Sequence, residues 1–353
     1  MAHTFAHRTR RAIRYGWVVI GAAAIYWLPW LALSAWLGGL SGDLTRIGAW
    51  PERDYNRRVA QPRIAVPSNQ VEPERVHVLV LGDSFSMGNV WQAVVGEGAG
   101  VVVKTWGYGG HGCVDAFLEL IEQPQFARAK EVVIQTVERH LLDRFENPAP
   151  CAHPGLVAFE GPPGFTEPQP PKGQFIWDWR HLVHTLGNMQ RQHPSDAAPI
   201  ASRDTLNVGL DNPKLFSNRQ SQRLLYYLGD EAKAHWTPER VNRAVLALQR
   251  IQQRVERGGR RFTLLVVPDK SSVYRPHVPL GMGPHGQPHF HQAFTDGGIR
   301  LVWPLAELQT PSAVDVYLPN DTHLSPLGFS IVGASVLQAW GKPGLPTPAT
   351  ARP

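Results

Sequence analysis

The sequence predicts an α/β domain with a largely parallel sheet, carried behind one amino-terminal membrane helix. Three observations carry that expectation. From Val76 onward, short apolar runs alternate with stretches of helical period, the pattern of a sheet wound with helices. Residues 15–42 contain no charged side chain, and a run of that length crosses a hydrocarbon core of about 30 Å as a helix. The first apolar run of the body ends on Gly82-Asp83-Ser84, and the carboxyl ends of strands are where open α/β sheets place their sites.

The 353 residues have room for one large domain or two modest ones. A formal net charge of +6 suits a nucleic-acid partner at first sight. Its distribution argues otherwise: Arg8, Arg10, Arg11 and Arg14 all precede residue 15, where there is no acid. The remainder is close to neutral and shows no basic-aromatic pattern, so no nucleic-acid partner is expected. Trp17 and Trp36 stand near the two ends of the apolar run, where amphipathic rings favour the membrane interface. The arginines before it predict that residues 1–14 stay in the cytoplasm while the carboxy-terminal bulk is exported. The expectation is a single-pass anchor over 15–42 in a bacterial inner membrane, with the body in the periplasm. A signal peptide cut near Ala32-Leu33-Ser34 is the rival, although the run exceeds the roughly 7–15 apolar residues of a signal-peptide core. The basic flank and four tryptophans, Trp17, Trp27, Trp30 and Trp36, disfavour a buried soluble helix.

Pro51, Pro62, Pro67 and Pro73 break residues 43–75, which read as a spacer between membrane and body. In the body, 76–340, "VHVLVLG" predicts the first strand, 87–97 the first helix and 101–105 the second strand. A glycine-rich turn over 107–112 leads into a helix over 113–123, and 131–137 is the third strand. From residue 146 the rhythm breaks, with Pro148, Pro150, Pro154, Pro162, Pro163, Pro168, Pro170 and Pro171 marking an insertion that extends to about 235. Such length suits a lid or a binding surface; within it, Trp177 and Trp179 suit stacking on sugar rings or core packing. Thr237-Pro238-Glu239 opens a helix to about Arg257. Residues 261–268 and 298–304 are strands, a last helix follows Pro326, and 341–353 form a tail. Cys113 and Cys151 are the only cysteines. Paired in an oxidising compartment they would contribute roughly 3 kcal/mol; two unpaired thiols are the alternative.

A serine hydroxyl becomes a nucleophile when a histidine takes its proton and an acid holds that histidine in one tautomer. Ser84 stands at a strand end, and "YLPNDTHLSPLG" (317–328) supplies Asp321 and His323 just before the last helix. Two residues apart in an extended or turn conformation, both point to one side, so that His323 reaches Ser84 while Asp321 orients its other nitrogen. The bland reading is a strand-to-helix turn, with Ser325 capping a helix beside a surface histidine. Asp83 is expected to stabilise the turn, and Asp315 is a reserve orienting acid. His285, His289 and His291 cluster without a carboxylate or cysteine to complete a metal site; no metal and no cofactor are expected.

Gly82-Asp83-Ser84-Phe85-Ser86 resembles the first block of the SGNH (GDSL-like) hydrolase superfamily, which implies a flavodoxin-like three-layer sandwich with the nucleophile behind the first strand. The turn at Gly109 and Gly110 resembles its second block, which implies an oxyanion hole made by the backbone N–H groups of Ser84 and Gly110. Most members carry Asp three residues before the His, where this sequence has Asn320. Asp321-Thr322-His323 is similar instead to the alginate O-acetyltransferase branch. "VIQTVERHL" (133–141) and "VVPDKSSVYRP" (266–276) resemble that branch's third-strand arginine segment and its Pro-x-Lys-x-x-x-Tyr segment. This implies a cleft lined by Lys270 and Tyr274. Arg139 is open between contact with the oxyanion or a substrate carboxylate and a structural pair with Glu138 or Asp143. In several exported members Asp-x-His precedes the serine, whereas the order here is Ser, Asp, His; triads are defined by geometry rather than chain order. The resemblance covers roughly 76–340, with 146–235 unmatched. It implies a serine O-acetyltransferase acting on an exported polysaccharide through an acetyl-serine, with a membrane-bound O-acyltransferase partner delivering the acetyl group. An acetylesterase with the same triad and a non-catalytic, glycan-binding scaffold of an export complex are the alternatives.

Overall fold

In the computed structural model of the chain, the described residues are 2–108, 114–146, 156–159, 163–192, 198–279, 290–310 and 312–342, with side chains from Arg14 onward except at 157 and 158. Helix α1 (Ala2–Leu37) leads through α2 (Asp43–Gly48) into a βαβ succession: β1 (Val78–Gly82), α3 (Val90–Ala99), β2 (Val103–Gly107), α4 (Val114–Ile121) and β3 (Glu131–Val137). Next come α5 (Trp179–Arg191) and the strands β4 (Ile200–Ser202), β5 (Thr205–Gly209) and β6 (Arg223–Tyr227). The chain closes with α6 (Pro238–Arg257), β7 (Arg261–Val267), β8 (Leu301–Val302) and α7 (Pro326–Ala339).

The main sheet runs β8-β7-β3-β1-β2, all parallel, with Val157–Ala158 antiparallel on the β2 edge. Counted within this sheet, the parallel strands stand in the order 2-1-3-4-5 of flavodoxin-like sheets. Every residue of β1 and β3 is buried, as expected of parallel strands covered on both faces. Successive side chains alternate between two cores. Leu79, Leu81, Val132 and Ile134 pack with Phe117 of α4 and Leu248 of α6. Val78, Val80 and Val133 pack with Trp91 of α3 and Val332 and Val336 of α7. Thr237 caps α6 by accepting from Arg240 N–H, with Pro238 in the first turn.

Several boundaries differ from the sequence reading for identifiable reasons. The helix expected over 87–97 is two pieces. A short turn of helix, Ser84–Met87, carries the serine, and Asn89, left-handed at φ 51°, separates it from α3. Strand β2 begins at Val103 and runs to Gly107, opposite Gly82. Only Leu301 and Val302 of the expected 298–304 pair with β7. The proline-rich insertion contains α5 and a three-stranded antiparallel sheet, β4-β5-β6.

Residues 43–57, expected as spacer, instead pack on this second sheet. Leu44, Trp50 and Tyr55 form a buried cluster with Leu225 of β6, and Trp50 Nε1 donates to Thr205 Oγ1 at 2.8 Å. The prolines prevent a long helix here, yet the aromatic rings still bury. Ahead of them, Arg14–Leu37 is long and apolar enough to cross a membrane. Trp50→Ala is expected to lower unfolding free energy by about 3–5 kcal/mol, measured as a reduced denaturant midpoint at unchanged m-value. An unchanged midpoint would mean that the segment is a spacer after all.

Candidate active site

Gly82 ends β1 without a side chain because a Cβ there would collide with Ser86 Oγ and Gln135 Oε1. Those two atoms are themselves committed, Ser86 Oγ donating to Gln135 Oε1 at 2.6 Å. Asp83 then pins the turn. Its Oδ1 accepts from Phe85 N–H at 3.1 Å and Gln135 Nε2 at 3.0 Å, and its Oδ2 accepts from Val137 N–H at 2.8 Å. With Arg144 Nη2 3.4 Å from Oδ2, the carboxylate ties the serine turn to the end of β3. Asp83 therefore shapes the turn, and Ser84 is left exposed beyond it. Among the described residues, no partner takes the Ser84 backbone N–H.

The facing loop is a tight hairpin closed by a Tyr317–Leu324 bridge and by Leu318 N–H donating to His323 O at 3.1 Å. On it, His323 Nδ1 lies 2.6 Å from Asp321 Oδ1, and His323 Nε2 lies 2.8 Å from Ser84 Oγ. The Phe85 ring packs on the imidazole, centroids 4.8 Å apart. Ser325 does cap α7, accepting from Gly328 N–H at 3.3 Å, so the cap and the forward-facing histidine coexist.

Asp43, at the start of α2, is the contributor that sequence reasoning missed. Its Oδ1 accepts from Thr322 N–H at 2.7 Å, its Oδ2 takes the Thr322 hydroxyl, and its N–H donates to Asp321 Oδ2 at 3.0 Å. Asp43 Oδ2 also stands 3.7 Å from His323 Nδ1. Behind it, buried Glu52 accepts from Ser41 N–H at 3.1 Å, Gly42 N–H at 3.2 Å, Thr45 and Asn320. The only local signal was a cluster of Ser41, Asp43 and Glu52 just after an apolar run. Its partner loop is some 280 residues away, and one sequence does not pair them.

Burial alone would hold the imidazole neutral, but the Asp321 hydrogen bond and charge, joined by the Asp43 charge, raise His323 above its ordinary value. Burial likewise pushes Asp321 up, yet the hydrogen bond and charge of His323 and the N–H groups of Asp43 and His323 bring it down to about 2. Asp43 is raised, first by burial and then by the charge of Asp321. The signs of the two linkages are opposite. The contribution of His323 to stability is complete below about 6.5 and lost as pH rises through its raised folded value. That of Asp321 is present above its unfolded value, about 3.9, and lost as pH falls toward about 2.

Lys270 and Tyr274, expected to line the cleft, are buried behind the loop. Lys270 Nζ donates to the carbonyls of Leu318, Pro319 and Asp321 at 2.8, 2.9 and 3.1 Å, and Tyr274 Oη accepts from Tyr317 N–H at 3.2 Å. Arg139 pairs neither with Glu138 nor with Asp143. Its Nη1 lies 2.7 Å from Asp269 and 3.3 Å from Asp230. Glu138 instead accepts from Lys233 Nζ at 3.0 Å. Asp315 is spent on Ser217, whose N–H it accepts at 2.9 Å. Gly110, Cys113, Cys151, His285 and His289 lie outside the described residues; His291 stacks against Trp303, centroids 4.7 Å apart.

Among the described residues, Asp43, Asp321 and His323 are the group able to hold a metal ion, their ligand atoms lying within 4.8 Å of one another. As the hydrogen bonds stand, one ring nitrogen faces a carboxylate and the other a hydroxyl, which is the arrangement of a histidine held as a base. A polar cleft of about 320 Å³, lined by Ser41, Asp43, Arg46, Lys172 and Asp321 among others, opens beside it.

His323 is expected to titrate above about 6.5 in an imidazole chemical-shift titration of the isotopically labelled chain. Asp43→Asn should lower the midpoint, and Asp321→Asn should lower it further, because Asp321 supplies a hydrogen bond as well as a charge. A midpoint indifferent to both substitutions would mean that neither carboxylate faces the ring.

No curated protein and no solved structure matches the chain. One family model does: residues 221–347 match the SGNH hydrolase-like domain of acetyltransferase AlgX. The matched segment, little more than a third of the chain, holds the Asp321–His323 loop and Lys270, while Ser84 and Arg139 precede it. That match supports the SGNH alginate O-acetyltransferase-like family, the one whose Asp-Thr-His segment this chain resembles.

Proposed function

We propose that this chain is a membrane-anchored serine O-acetyltransferase acting on an exported polysaccharide, with Ser84 as nucleophile, His323 as general base and Asp321 as the acid that orients it. The observation that carries this reading is the unbroken relay from Ser84 Oγ through the imidazole to Asp321, at 2.8 and 2.6 Å. The matched SGNH hydrolase-like domain supports acetyl transfer. Helix α1 supports a membrane setting, the arginines before residue 15 support a body on the periplasmic side, and a sheet whose two faces are each covered by helices supports the three-layer sandwich.

His323 Nε2 takes the Ser84 proton as Oγ attacks the acetyl carbonyl of the donor. Collapse of the tetrahedral intermediate expels the donor oxygen, which receives the proton from His323 and leaves an acetyl-serine. A sugar hydroxyl then attacks the ester, passing its proton to His323, and the second collapse returns that proton to Ser84. The oxyanion is received by the Ser84 N–H and by the Gly110 N–H. The donor side is a membrane-bound O-acyltransferase, beside which α1 holds the site. Because Ser84 is exposed, water competes with the sugar, and acetylesterase activity is the second reading.

The test uses the full chain with an activated acetyl ester, following acetate release and intact mass. Ser84→Ala and His323→Ala should each lower turnover by a factor on the order of 10⁴ or more. Equal turnover in wild type and both variants would sink the serine mechanism. Oligosaccharide acceptors divert acetyl from acetate to sugar in a transferase and leave acetate release unchanged in an esterase. Since only the neutral imidazole accepts the proton, the acid limb of the rate should lie above pH 6.5 or so and move to lower pH in Asp43→Asn.

A further inference from the structure

Helix α5 has two faces, and only one is covered by the body. His181, Leu182, Thr185 and Asn188 are buried. Trp179, Val183 and Leu186, spaced i, i+4 and i+7 along the opposite face, are 59, 46 and 37 % exposed, and Trp177 just before them is 72 % exposed. The catalytic relay uses none of these side chains. Of the two sequence readings of Trp177 and Trp179, core packing does not hold at such exposure.

The stretch that leads into α5, with Trp177 and Trp179, meets α1 and the turn after it. Trp30 Nε1 donates to Ile176 O at 2.8 Å, Ile176 N–H donates to Ser34 Oγ at 3.0 Å, and Leu40 pairs with Gln174. The rings of Trp27 and Trp177 lie 6.4 Å apart, and those of Trp30 and Trp179 lie 5.8 Å apart. Trp30 and Trp27 precede Leu37, the end of α1, by about 10 and 15 Å of helix at 1.5 Å per residue. The apolar side chains of the insertion therefore reach back alongside the segment that is long and apolar enough to span.

We propose that residues 175–186 lie in the outer interface of the same bilayer that α1 crosses, with Trp177, Trp179, Val183 and Leu186 facing lipid and the exposed cations Lys172 and Arg180 at the level of the headgroup phosphates. This rests on the reading of α1 as a membrane span. Amphipathic helices with Trp and aliphatic residues on one face and cations at the border occupy that depth, and tryptophan rings favour it. Aliphatic Val183 and Leu186 offer a sugar no hydrogen bonds, whereas acyl chains require none. Two attachments, a span and an interfacial helix, fix the tilt of the body. Leu40 and Phe175 line the same cleft as Asp43 and Asp321, so the cleft beside the relay opens just above the headgroups.

The test places an encoded, environment-sensitive fluorescent amino acid at position 183, 186, 25 or 250 of the full chain, reconstituted in phosphatidylethanolamine–phosphatidylglycerol vesicles. Positions 183 and 186 should show blue-shifted emission and quenching by lipids with a nitroxide high on the acyl chain. Position 25 should be quenched by a nitroxide deep in the chain, and position 250 by aqueous iodide alone. If 25 is quenched from within the bilayer while 183 and 186 respond only to iodide, the span stands and this inference is overturned. Shielding of 183 and 186 from iodide by added oligosaccharide would in that case assign the face to glycan. If position 25 also responds only to iodide, the span itself fails and the inference falls with it.

Discussion

One buried ammonium group holds the loop on which the candidate site depends. Lys270 Nζ has three donors and meets three carbonyls, those of Leu318, Pro319 and Asp321. The exchange is costly, since burial pushes this lysine down to about 7 despite the nearby carboxylates. It is still the means by which a turn rich in inward-facing carbonyls can be buried at all, because each buried acceptor left unpaired costs about 1–3 kcal/mol. With its backbone satisfied from behind, the loop turns Asp321 and His323 forward onto Ser84. The residues expected to touch substrate thus serve from the rear, and the Pro-x-Lys-x-x-x-Tyr segment is the bed of the loop.

The second support comes from the amino-terminal side. Leu44 and Thr45 N–H both donate to Asn320 O, at 3.1 and 3.3 Å, while Asp43 holds Thr322. Asp43 follows the end of α1 by only a few residues, so the relay is fastened to the chain where it leaves the apolar helix. Bending at that junction would pull on Thr322 and His323 before it reached the sheet.

Much of this was legible in the sequence, and the exceptions have physical causes. Strands such as 131–137 stand out because burial on both faces demands continuous apolar runs. Ser84, Asp321 and His323, the proposed nucleophile, acid and base, stand out because a serine at a strand end and an Asp-x-His just before the last helix both break the apolar pattern on short turns. Trp50 and Tyr55 were hidden because irregular segments bury rings without any period. The resemblance placed Lys270 in the cleft and left Arg139 open between a substrate contact and a structural pair, whereas the buried carbonyls and carboxylates they answer to become visible only once the chain is folded. The role of Asp43 depends on a contact between the two ends of the chain, which no local pattern encodes.

The same long-range contact accounts for the carboxylate that faces His323 standing two residues before it. Position 320, where most SGNH proteins have Asp, is Asn here, and its Nδ2 donates to Glu52 and, at 3.2 Å, to Ser41 Oγ. Glu52 is almost fully buried and already accepts from Ser41, Gly42 and Thr45. A carboxylate at 320 would face that buried carboxylate with no proton to share, and one of the two would be forced to protonate. An amide offers Glu52 a donor instead. Once the linker occupies position 320, the acid that serves His323 has to come from the next residue, and the hairpin turn that brings Asp321 Oδ1 back to Nδ1 is closed by the same Asp321 accepting from His323 N–H at 2.9 Å. The Asn-Asp-Thr-His stretch is therefore one unit with Asp43 and Glu52: the segment that follows α1 claims the first residue and the third, and the histidine claims the second.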